Sequence, residues 1–532
     1  MLTYFVIVPV ILAVLFYLMP NAKIARVGAI GAQLWLVAIA VLLFLSLRDN
    51  YVGYVYVPVG HYEGVLGIIL SADLLTATFV LLTVVMFLLA IIYSFNENNS
   101  RLFWFLLFLW QGTLLGVFLT RDFFNIFVLM EVSTLVVSVL IMFNRNNRSL
   151  YDGMIYLMIN VVIMQFFLFG VGYVYTFTGT LDLALAGERL AELDRSMQII
   201  PFALIMTFIA LKCALIPMYG WLPKAHGTPG APSSVSAILS GLHIKSGVYL
   251  LVRFQEVFSV IESTELFLAI GLITALGGVL LSVAQKDIKL ILAYSTVAQV
   301  GLIIVGFSIS YAYSYNYIGA LYHILNHAVF KAALFLSVGM VAYAYKTRDI
   351  NQIRGVFKTM PLLSVAMILA IMGIIGTPLF NGSISKYFLM TGIEWWLNTI
   401  LIIVNLGTIT IFMKFSAIFF GPKQKDATHK VDVWHYLPVL TLSGLCFVGG
   451  LLGVQAIELF FGVSVAVDMA GYIEKAIIFL GSVTAGYLLY KYVVRNSKFL
   501  EKVRGFELGF REMMGAIGVS LAVIILYAGF WS

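Results

Sequence analysis

The sequence predicts an all-α membrane protein that crosses the bilayer about sixteen times. Of its 532 residues, 62% are hydrophobic and only 11% are charged, whereas a soluble domain carries about 25% charged residues. Apolar stretches of the length that crosses a bilayer as a helix, about 20 residues, follow one another along almost the whole chain. We therefore expect a polytopic membrane protein with no soluble domain of appreciable size.

The apolar stretches are called spans one to sixteen in chain order. They cover residues 2–20, 27–47, 70–94, 102–120, 123–142, 151–178, 201–219, 234–252, 266–284, 290–307, 316–345, 361–388, 397–420, 436–453, 473–493 and 512–531. Span one lacks a basic leader and a small-residue cleavage site, which predicts a retained helix. Residues 51–68 alternate aromatic residues with valines around Gly and Pro, which predicts an extended or hairpin cap outside the membrane. Residues 181–196 are charged with a helical period, which predicts a surface helix.

The distribution of Lys and Arg predicts the orientation of the chain. Loops that follow odd-numbered spans hold 21 of the 32 basic residues, and loops on the other side hold six. Because basic loops stay in the cytoplasm, we expect a multi-pass protein of the cell membrane with both termini outside. Five lysines fit neither set of loops and lie within spans: Lys212, Lys245, Lys331, Lys386 and Lys414.

The first two of these lysines lie in spans seven and eight. Lys212 comes five residues before Pro217, and proline breaks a helix because it lacks the backbone donor. A lysine beside a helix break at membrane depth indicates an ion site. Glu131, near the middle of span five, is the natural partner of Lys212, because an isolated buried carboxylate would lose its charge. The alternatives are lysines that reach the membrane interface or an ion pair with a structural role only.

Span eleven contains His323, His327 and Lys331 at intervals of four residues. This spacing places the three side chains along one helix face. Histidine titrates near neutral pH, so the row predicts a proton relay. A metal site is a weaker interpretation, because two histidines without a nearby Asp, Glu or Cys do not complete one. The remaining alternative is a polar stripe buried against neighbouring helices.

Spans twelve and thirteen repeat features of spans seven and eight. Span twelve combines a helix break at Gly376 and Pro378 with Lys386, and Lys414 in span thirteen corresponds to Lys245 in span eight. The offset is five spans, and an odd offset inverts the second copy in the membrane. Two inverted five-helix repeats with broken helices, spans four to eight and nine to thirteen, are therefore predicted. The expected units are residues 1–98 (three helices), 99–253 (first repeat), 254–422 (second repeat) and 423–532 (C-terminal helices with a short amphipathic segment).

The cysteines indicate no cofactor in this chain. Cys213 and Cys446 lie in apolar spans and form no CxxC or Cys/His cluster, so no iron–sulfur, zinc or haem site is predicted. The net charge of +7 comes mostly from loops. It therefore reflects membrane topology and does not indicate nucleic-acid binding.

Six stretches together carry a resemblance to a known family. They are FNIFVLMEV (124–132), ALKCALIPMYGWLPKAH (210–226), LSGLHIKSGVYLLVR (239–253), AQKDIKLILAYSTVAQVG (284–301), HILNHAVFKAALFLSVG (323–339) and GTPLFNGSISK (376–386). With them the chain resembles the antiporter-like subunits of respiratory complex I, Mrp-type cation/proton antiporters and membrane-bound hydrogenases. The stretches WLPKAH and LSGLHIKSG look most like the hydrogenase branch, and FNIFVLMEV also looks like the Mrp branch.

The resemblance implies roles for individual residues. It implies that Glu131 and Lys212 are paired charges, that Lys245 is the next relay, that Lys331 or Lys386 is the distal site, and that His323 and His327 lie on a central polar axis. The chain departs from the family at Tyr219, where complex I members commonly have His, and at Lys224, where Asp is common. Further candidates are His226 in WLPKAH, His243 beside Lys245, and Asp73 at the start of span three.

The expected function is proton translocation, with or without Na⁺ antiport, by a membrane subunit of a multi-subunit redox-driven complex most like a membrane-bound hydrogenase. Iron–sulfur and NiFe centres are then expected in partner subunits, and the partners include other hydrophobic membrane subunits and peripheral redox subunits. The alternative is a subunit of an Mrp-type Na⁺/H⁺ antiporter without redox chemistry. A structural subunit with no ion path is a third possibility. The amphipathic residues 495–512 are too short to brace several subunits but long enough to clasp one neighbour.

Overall fold

The computed structural model describes residues 1–19, 22–49, 55–59, 67–97, 99–228, 230–309, 314–422 and 432–531. Within these residues, 14 helices are long and apolar enough to cross a membrane. Two shorter apolar helices, Leu2–Leu18 and Pro361–Ile375, accompany them. Each of the sixteen predicted spans coincides with one of these helices, so the predicted polytopic helical fold is confirmed.

The N-terminal part contains three spans and a small hairpin. Spans one to three are the helices Leu2–Leu18, Ala22–Asp49 and Leu74–Tyr93. Strand β1 (Val55–Val59) pairs antiparallel with strand β2 (Ile68–Ala72), and Val57 lies opposite Leu70. The hairpin of the prediction therefore exists, and its position outside the membrane remains a prediction. Residues 51–54 and 60–66 of the predicted stretch lie outside the described part of the chain. This hairpin is the β structure that an all-α description omits.

Spans four to eight form the first half of the central bundle. Their helices are Arg101–Leu119, Phe123–Ile141, Asn147–Thr178, Arg195–Lys212 and Ser233–Val257. A 3-10 turn, Met218–Gly220, and a short helix, Trp221–Gly227, follow the helical part of span seven. The charged stretch after span six forms the helix Leu183–Ala191, which Asp182 caps through the Ala184 and Leu185 amides.

Spans nine to sixteen complete the chain. Their helices are Thr264–Ala284, Ile288–Ser308, Tyr315–Tyr345, the pair Pro361–Ile375 and Asn381–Leu389, Trp395–Phe415, Val433–Leu451, Met469–Leu488 and Phe510–Phe530. Shorter elements are Val356–Thr359, Ser416–Ile418, Gly453–Phe461, the wide π turn Leu489–Val494 and the amphipathic helix Lys498–Arg504. The helical part of the predicted amphipathic stretch is thus seven residues long.

Three spans are irregular where the sequence places lysines. Span seven stops being helical at Lys212. In span eight a wide π turn, Leu239–His243, ends two residues before Lys245. In span twelve the first helix ends at Gly376, whose φ of +81° is the left-handed conformation that glycine adopts at a helix end. Irregular backbone at membrane depth is tolerated where protein buries it, and all three sites are buried.

The core lies where the two halves meet. Spans eight, ten and eleven are buried over almost their whole length, whereas spans one, two, fifteen and sixteen expose many apolar side chains. The lysine precedes the break in span seven and follows it in span twelve. That reversal agrees with an inverted repeat. The repeat, its boundaries and the orientation of the termini remain predictions.

Candidate functional site

Lys212 is held by neutral oxygen atoms inside the first half. The residue is 3% exposed. Its Nζ atom donates to Thr134 Oγ1 at 3.1 Å and to Asn160 Oδ1 at 2.8 Å. Thr134 lies one turn after Glu131 on span five, and Asn160 lies on span six. A buried ammonium is therefore solvated by fixed side chains.

Glu131 does not make the expected contact with Lys212. The lysine directs its hydrogen bonds to Thr134 and Asn160, and Glu131 Oε2 is buried with no hydrogen-bond partner among the described residues. The two charges are still close enough to interact electrostatically. Glu131 thus lies one helical turn from Thr134, one of the two hydrogen-bond partners of Lys212.

A hydrogen-bonded path leads from Lys212 to His243 on span eight. The Tyr156 hydroxyl lies beside Thr134 and 3.3 Å from His243 Nε2. On the other side of the ring, Trp110 Nε1 donates to His243 Nδ1 at 3.4 Å. Because the indole is a donor only, Nδ1 must accept, which fixes the proton of the neutral ring on Nε2, facing Tyr156.

Lys245 connects span eight to the histidines of span eleven. It is fully buried, and its Nζ atom is hydrogen-bonded to the Ser240 carbonyl and to His327 Nδ1. The Ser240 carbonyl belongs to the wide turn of span eight. The His327 and His323 ring centroids are 6.5 Å apart. Thus His327, rather than Lys331, makes the direct contact with Lys245.

His323 and Lys331 bond to different neighbours. His323 interacts with Ser385 Oγ at 2.9 Å and with Gln299 Oε1 at 3.0 Å. Lys331 turns to span ten, where its Nζ atom donates to the Leu292 carbonyl at 2.8 Å and to Ser295 Oγ. The predicted row on span eleven therefore branches: the histidines continue towards span twelve, and Lys331 lies to one side.

Lys386 follows Ser385 and borders a cavity of about 340 Å³ in the second half. Its Nζ atom donates to the Ile374 carbonyl and to Asn405 Oδ1, both at 2.7 Å. Tyr472 and Lys475 of span fifteen line the same cavity. A succession of buried polar groups therefore runs from Lys212 through His243, Lys245 and the two histidines to Lys386, and we call it the polar row.

Lys414 lies outside the polar row. Its Nζ atom donates to the Val283 carbonyl at 2.7 Å and to the Gln285 carbonyl. These carbonyls belong to the last turn and the cap of span nine, where backbone acceptors lack helical partners. The structure therefore gives Lys414 the role of a helix cap.

Replacing Lys414 with alanine is expected to lower stability more than transport. Loss of a cationic cap costs about 1 kcal/mol, and Arg504 still donates to the neighbouring Ala284 carbonyl at 2.8 Å. Thermal unfolding of the purified complex measures the stability change. A loss of transport as large as that of a polar-row lysine, without a change in stability, would contradict the capping role.

Asp73 is committed to an ion pair and a helix cap. It accepts from Arg253 at 2.6 and 2.7 Å and from the Thr76 amide at 2.7 Å. Burial by itself raises the pKa of the Asp73 carboxyl, but the Arg253 guanidinium outweighs burial and lowers the pKa below its ordinary value. The pair borders a cavity of about 480 Å³. A carboxylate already neutralised in this way is a poor Na⁺ ligand.

An Arg253→Gln substitution is expected to destabilise the protein by about 3 kcal/mol, because it leaves a largely buried carboxylate without its cation. The stabilisation by this pair is present at neutral pH and disappears as the pH falls through the lowered pKa of Asp73. Thermal unfolding as a function of pH measures both effects. The double variant Asp73→Asn/Arg253→Gln is the control, and it should lose less stability than Arg253→Gln.

Two further candidates are buried beside the polar row. The His226 ring stacks on Phe335 with centroids 4.6 Å apart, and neither ring nitrogen has a hydrogen-bond partner among the described residues. Tyr219 packs near Tyr294, with ring centroids 6.1 Å apart. Within the described residues, neither side chain is hydrogen-bonded to a lysine of the polar row. In the part of the chain that the structure describes, no three His, Cys, Asp or Glu residues are grouped so as to hold a metal ion.

Sequence reasoning missed the neutral members of this site. They are Trp110, Thr134, Tyr156, Asn160, Gln299 and Ser385. A usable signal was the polarity of Asn160 and Gln299, since amides are uncommon inside apolar spans. The hydroxyl residues gave no such signal, because Ser, Thr and Tyr occur throughout the spans.

Comparisons with known proteins agree with this fold. Residues 120–413, more than half of the chain, match the family described as NADH:quinone oxidoreductase/Mrp antiporter, transmembrane. The chain is 30% identical over 476 residues to the D-type subunit of the Na⁺/H⁺ antiporter of Alkalihalophilus pseudofirmus, covering 86% of this chain and 94% of that protein.

Two solved structures share the fold. A chain of the Mrp complex from a Dietzia species has a TM-score of 0.79 at 23% identity, covering 95% of this chain and 99% of that one. A chain of the archaeal membrane-bound sulfane sulfur reductase also has a TM-score of 0.79 at 23% identity, covering 91% and 99%. With the match to the family model and to the D-type antiporter protein, the chain belongs to the NADH:quinone oxidoreductase/Mrp antiporter family of proton-translocating, antiporter-like membrane subunits.

Proposed function

We propose that this chain is a subunit of an Mrp-type multi-subunit cation/proton antiporter in the cell membrane and that the polar row is its proton path. The observation that carries the path is a succession of buried polar groups from Lys212 to Lys386, within which hydrogen bonds join neighbouring groups in separate stretches. The first stretch runs from Lys212 to His243, the second joins Lys245 to His327, and the third joins His323 to Ser385. The likeness to a D-type antiporter protein along 94% of its length favours the antiporter over the redox-driven complex. Other hydrophobic membrane subunits are the expected partners.

The first step depends on how Lys212 is solvated. Asn160 and Thr134 are neutral, so they stabilise the ammonium less than an ionised carboxylate does. Movement of Glu131 towards Lys212 favours the protonated lysine, and movement away favours release of its proton. The released proton passes to the hydroxyl groups of Thr134 and Tyr156, which both accept and donate. His243 takes part once the proton on its Nε2 atom has moved away from Tyr156, because only a free ring nitrogen accepts another proton.

The later steps cross between the two halves. His327 contacts Lys245 directly, and His323 continues to Ser385, the residue before Lys386. The cavity at Lys386 then provides a polar exit, which lies on the outer side in the predicted orientation. Lys331 interacts electrostatically with Lys245. Its charge therefore affects how readily Lys245 holds a proton, although Lys331 does not lie on the direct path.

Purification of the native complex tests the proposal. If the chain is an antiporter subunit, it is expected to copurify with several small hydrophobic partners and without stoichiometric iron or nickel. In membrane vesicles, a Na⁺ gradient is then expected to change the internal pH. The second candidate function is a redox-driven ion pump. A chain of the sulfane sulfur reductase resembles this fold as closely as the Mrp chain does, with the same TM-score and identity. Stoichiometric iron, with or without nickel, together with transport that requires an electron donor, would replace the antiporter with that function.

A further inference from the structure

The segment between spans fifteen and sixteen folds back over the first half of its own chain. We call residues 497–509 the clasp; Ser497 caps its helix and Leu500 is buried. Its residue Leu508 packs on Gly220, where an added Cβ would lie 3.0 Å from the Leu508 Cβ. The clasp therefore covers the turn that follows the break in span seven.

The clasp supplies a counter-ion to a buried lysine. Glu507 Oε1 accepts from Lys224 Nζ at 2.5 Å, and the Lys224 side chain is 4% exposed. Glu507 also pairs with Arg148, which in turn pairs with Asp152 at 2.9 Å. Two positive and two negative charges thus balance at this surface.

Electrostatics keep the Glu507 carboxyl ionised. Burial alone would raise the pKa of the Glu507 carboxyl, but Lys224 and Arg148 outweigh burial and lower the pKa below its ordinary value of 4.5. Glu507 is therefore charged at neutral pH. Without it, Lys224 would be a buried ammonium without a carboxylate partner.

A short helix connects this pair to Lys212. Lys224 lies in the helix Trp221–Gly227. At the start of that helix, Trp221 Nε1 donates to the Leu211 carbonyl at 2.7 Å, one residue before Lys212. The Trp221 ring also packs edge-on against Tyr156, with centroids 5.6 Å apart. A shift of Lys224 would therefore be felt at two members of the first hydrogen-bonded path, Lys212 and Tyr156.

The clasp also holds the second half. Arg504, three residues before Glu507, donates to the Ala284 carbonyl at the end of span nine. One short segment is thus fixed to both halves on the same side of the molecule. This placement exceeds what anchoring a terminal helix requires.

We propose that Glu507 is a positioning residue for the ion translocation proposed above: by pairing with Lys224 it fixes the helix Trp221–Gly227 and so the geometry around Lys212. Lys224 departs from the family's common Asp, and the clasp provides the carboxylate from another part of the chain. Among the described residues, Glu507 itself contacts no member of the polar row.

A double-mutant cycle in the whole complex tests this role. Glu507→Gln leaves buried Lys224 without a carboxylate in contact, with Asp152 acting on it only at a distance, and is expected to slow Na⁺-driven proton movement in vesicles about fivefold. Lys224→Gln/Glu507→Gln removes both charges and leaves Arg148 paired with Asp152, so most of the rate is expected to return. Glu501→Gln changes an exposed carboxylate on the same clasp and is the matched control, with an unchanged rate.

The outcomes separate positioning from simple attachment. If the clasp only anchors the terminal helix, the double variant loses as much transport as Glu507→Gln, which would overturn the proposal. An unchanged rate in Glu507→Gln would overturn it as well. Subunit content of the purified complex corrects each rate for assembly. Lys212→Ala in the same vesicles tests the proton path itself, so the failure of that path is distinguishable from the failure of the clasp.

Discussion

Lys212→Ala is expected to reduce cation-driven proton movement about a hundredfold, the lower end of what a positioned proton-transfer group contributes. Lys212 is 3% exposed and starts the path through Thr134 and Tyr156. Alanine cannot carry a proton, and the described neighbours offer no second ammonium in contact with Thr134. Fluorescence of a pH-sensitive dye in membrane vesicles measures the rate.

The matched control for this prediction is Lys286→Ala. Lys286 is an exposed lysine in the loop between spans nine and ten, so its removal lowers the charge of the chain equally without touching the polar row. Transport by this control should match the unmodified complex. A Lys212→Ala complex that assembles and transports at the full rate would exclude Lys212 from the proton path.

Tyr156→Phe is expected to slow transport about tenfold, equivalent to a barrier increase of roughly 1.4 kcal/mol. The substitution removes only the hydroxyl between Thr134 and His243, so the ring packing against Trp221 is retained. It also leaves His243 Nε2 without its partner, which costs about 1–3 kcal/mol of stability. Transport rate and thermal unfolding of the same preparation separate the two effects.

Tyr151→Phe provides the control for Tyr156. Tyr151 lies on the same helix, but it is 53% exposed and makes no contact with His243. Loss of its hydroxyl should change neither transport nor stability appreciably. Equal rates in the two phenylalanine variants would show that protons bypass the Tyr156 hydroxyl, for example through water alone.

The architecture was predictable because a bilayer allows few solutions. Each span had to be apolar for about 20 residues, so the hydrophobic composition predicted the spans. Nearby Pro and Gly residues predicted the helix breaks at Lys212 and Gly376. The wide turn in span eight was not predicted, because its Ser240–Gly241 pair disfavours a regular helix without specifying a turn of this width. It results from packing among buried neighbours, to which a single sequence gives no access.

The charged residues of the site were predictable for the same reason as the spans. A lysine in an apolar stretch is conspicuous, so Lys212, Lys245 and Lys386 were found. Their partners were not, since Lys212 binds Asn160 and Thr134 where an acid was expected, and Lys414 caps span nine. Which oxygen an ammonium reaches depends on helix rotation and crossing, and composition does not determine these.

The source of driving energy was the least predictable property. The sequence first favoured a hydrogenase-like complex, whereas one relative that matches 86% of the chain is a D-type antiporter protein. Both kinds of complex require a buried proton path, so the residues of the path do not distinguish them. The distinction resides in the partner subunits.

The wide turn of span eight also limits how this gene can change. The turn holds one more residue than a regular helical turn, and its Ser240 carbonyl accepts from Lys245. Deleting one codon within residues 239–243 would remove that extra residue and restore a regular helix, so Lys245 and Arg253 would keep nearly the same orientation. Deleting one codon within residues 246–252, where the helix is regular, would instead rotate everything beyond it by about 100° and separate Arg253 from Asp73. Single-residue deletions just after the turn are therefore expected to damage function more than deletions within it.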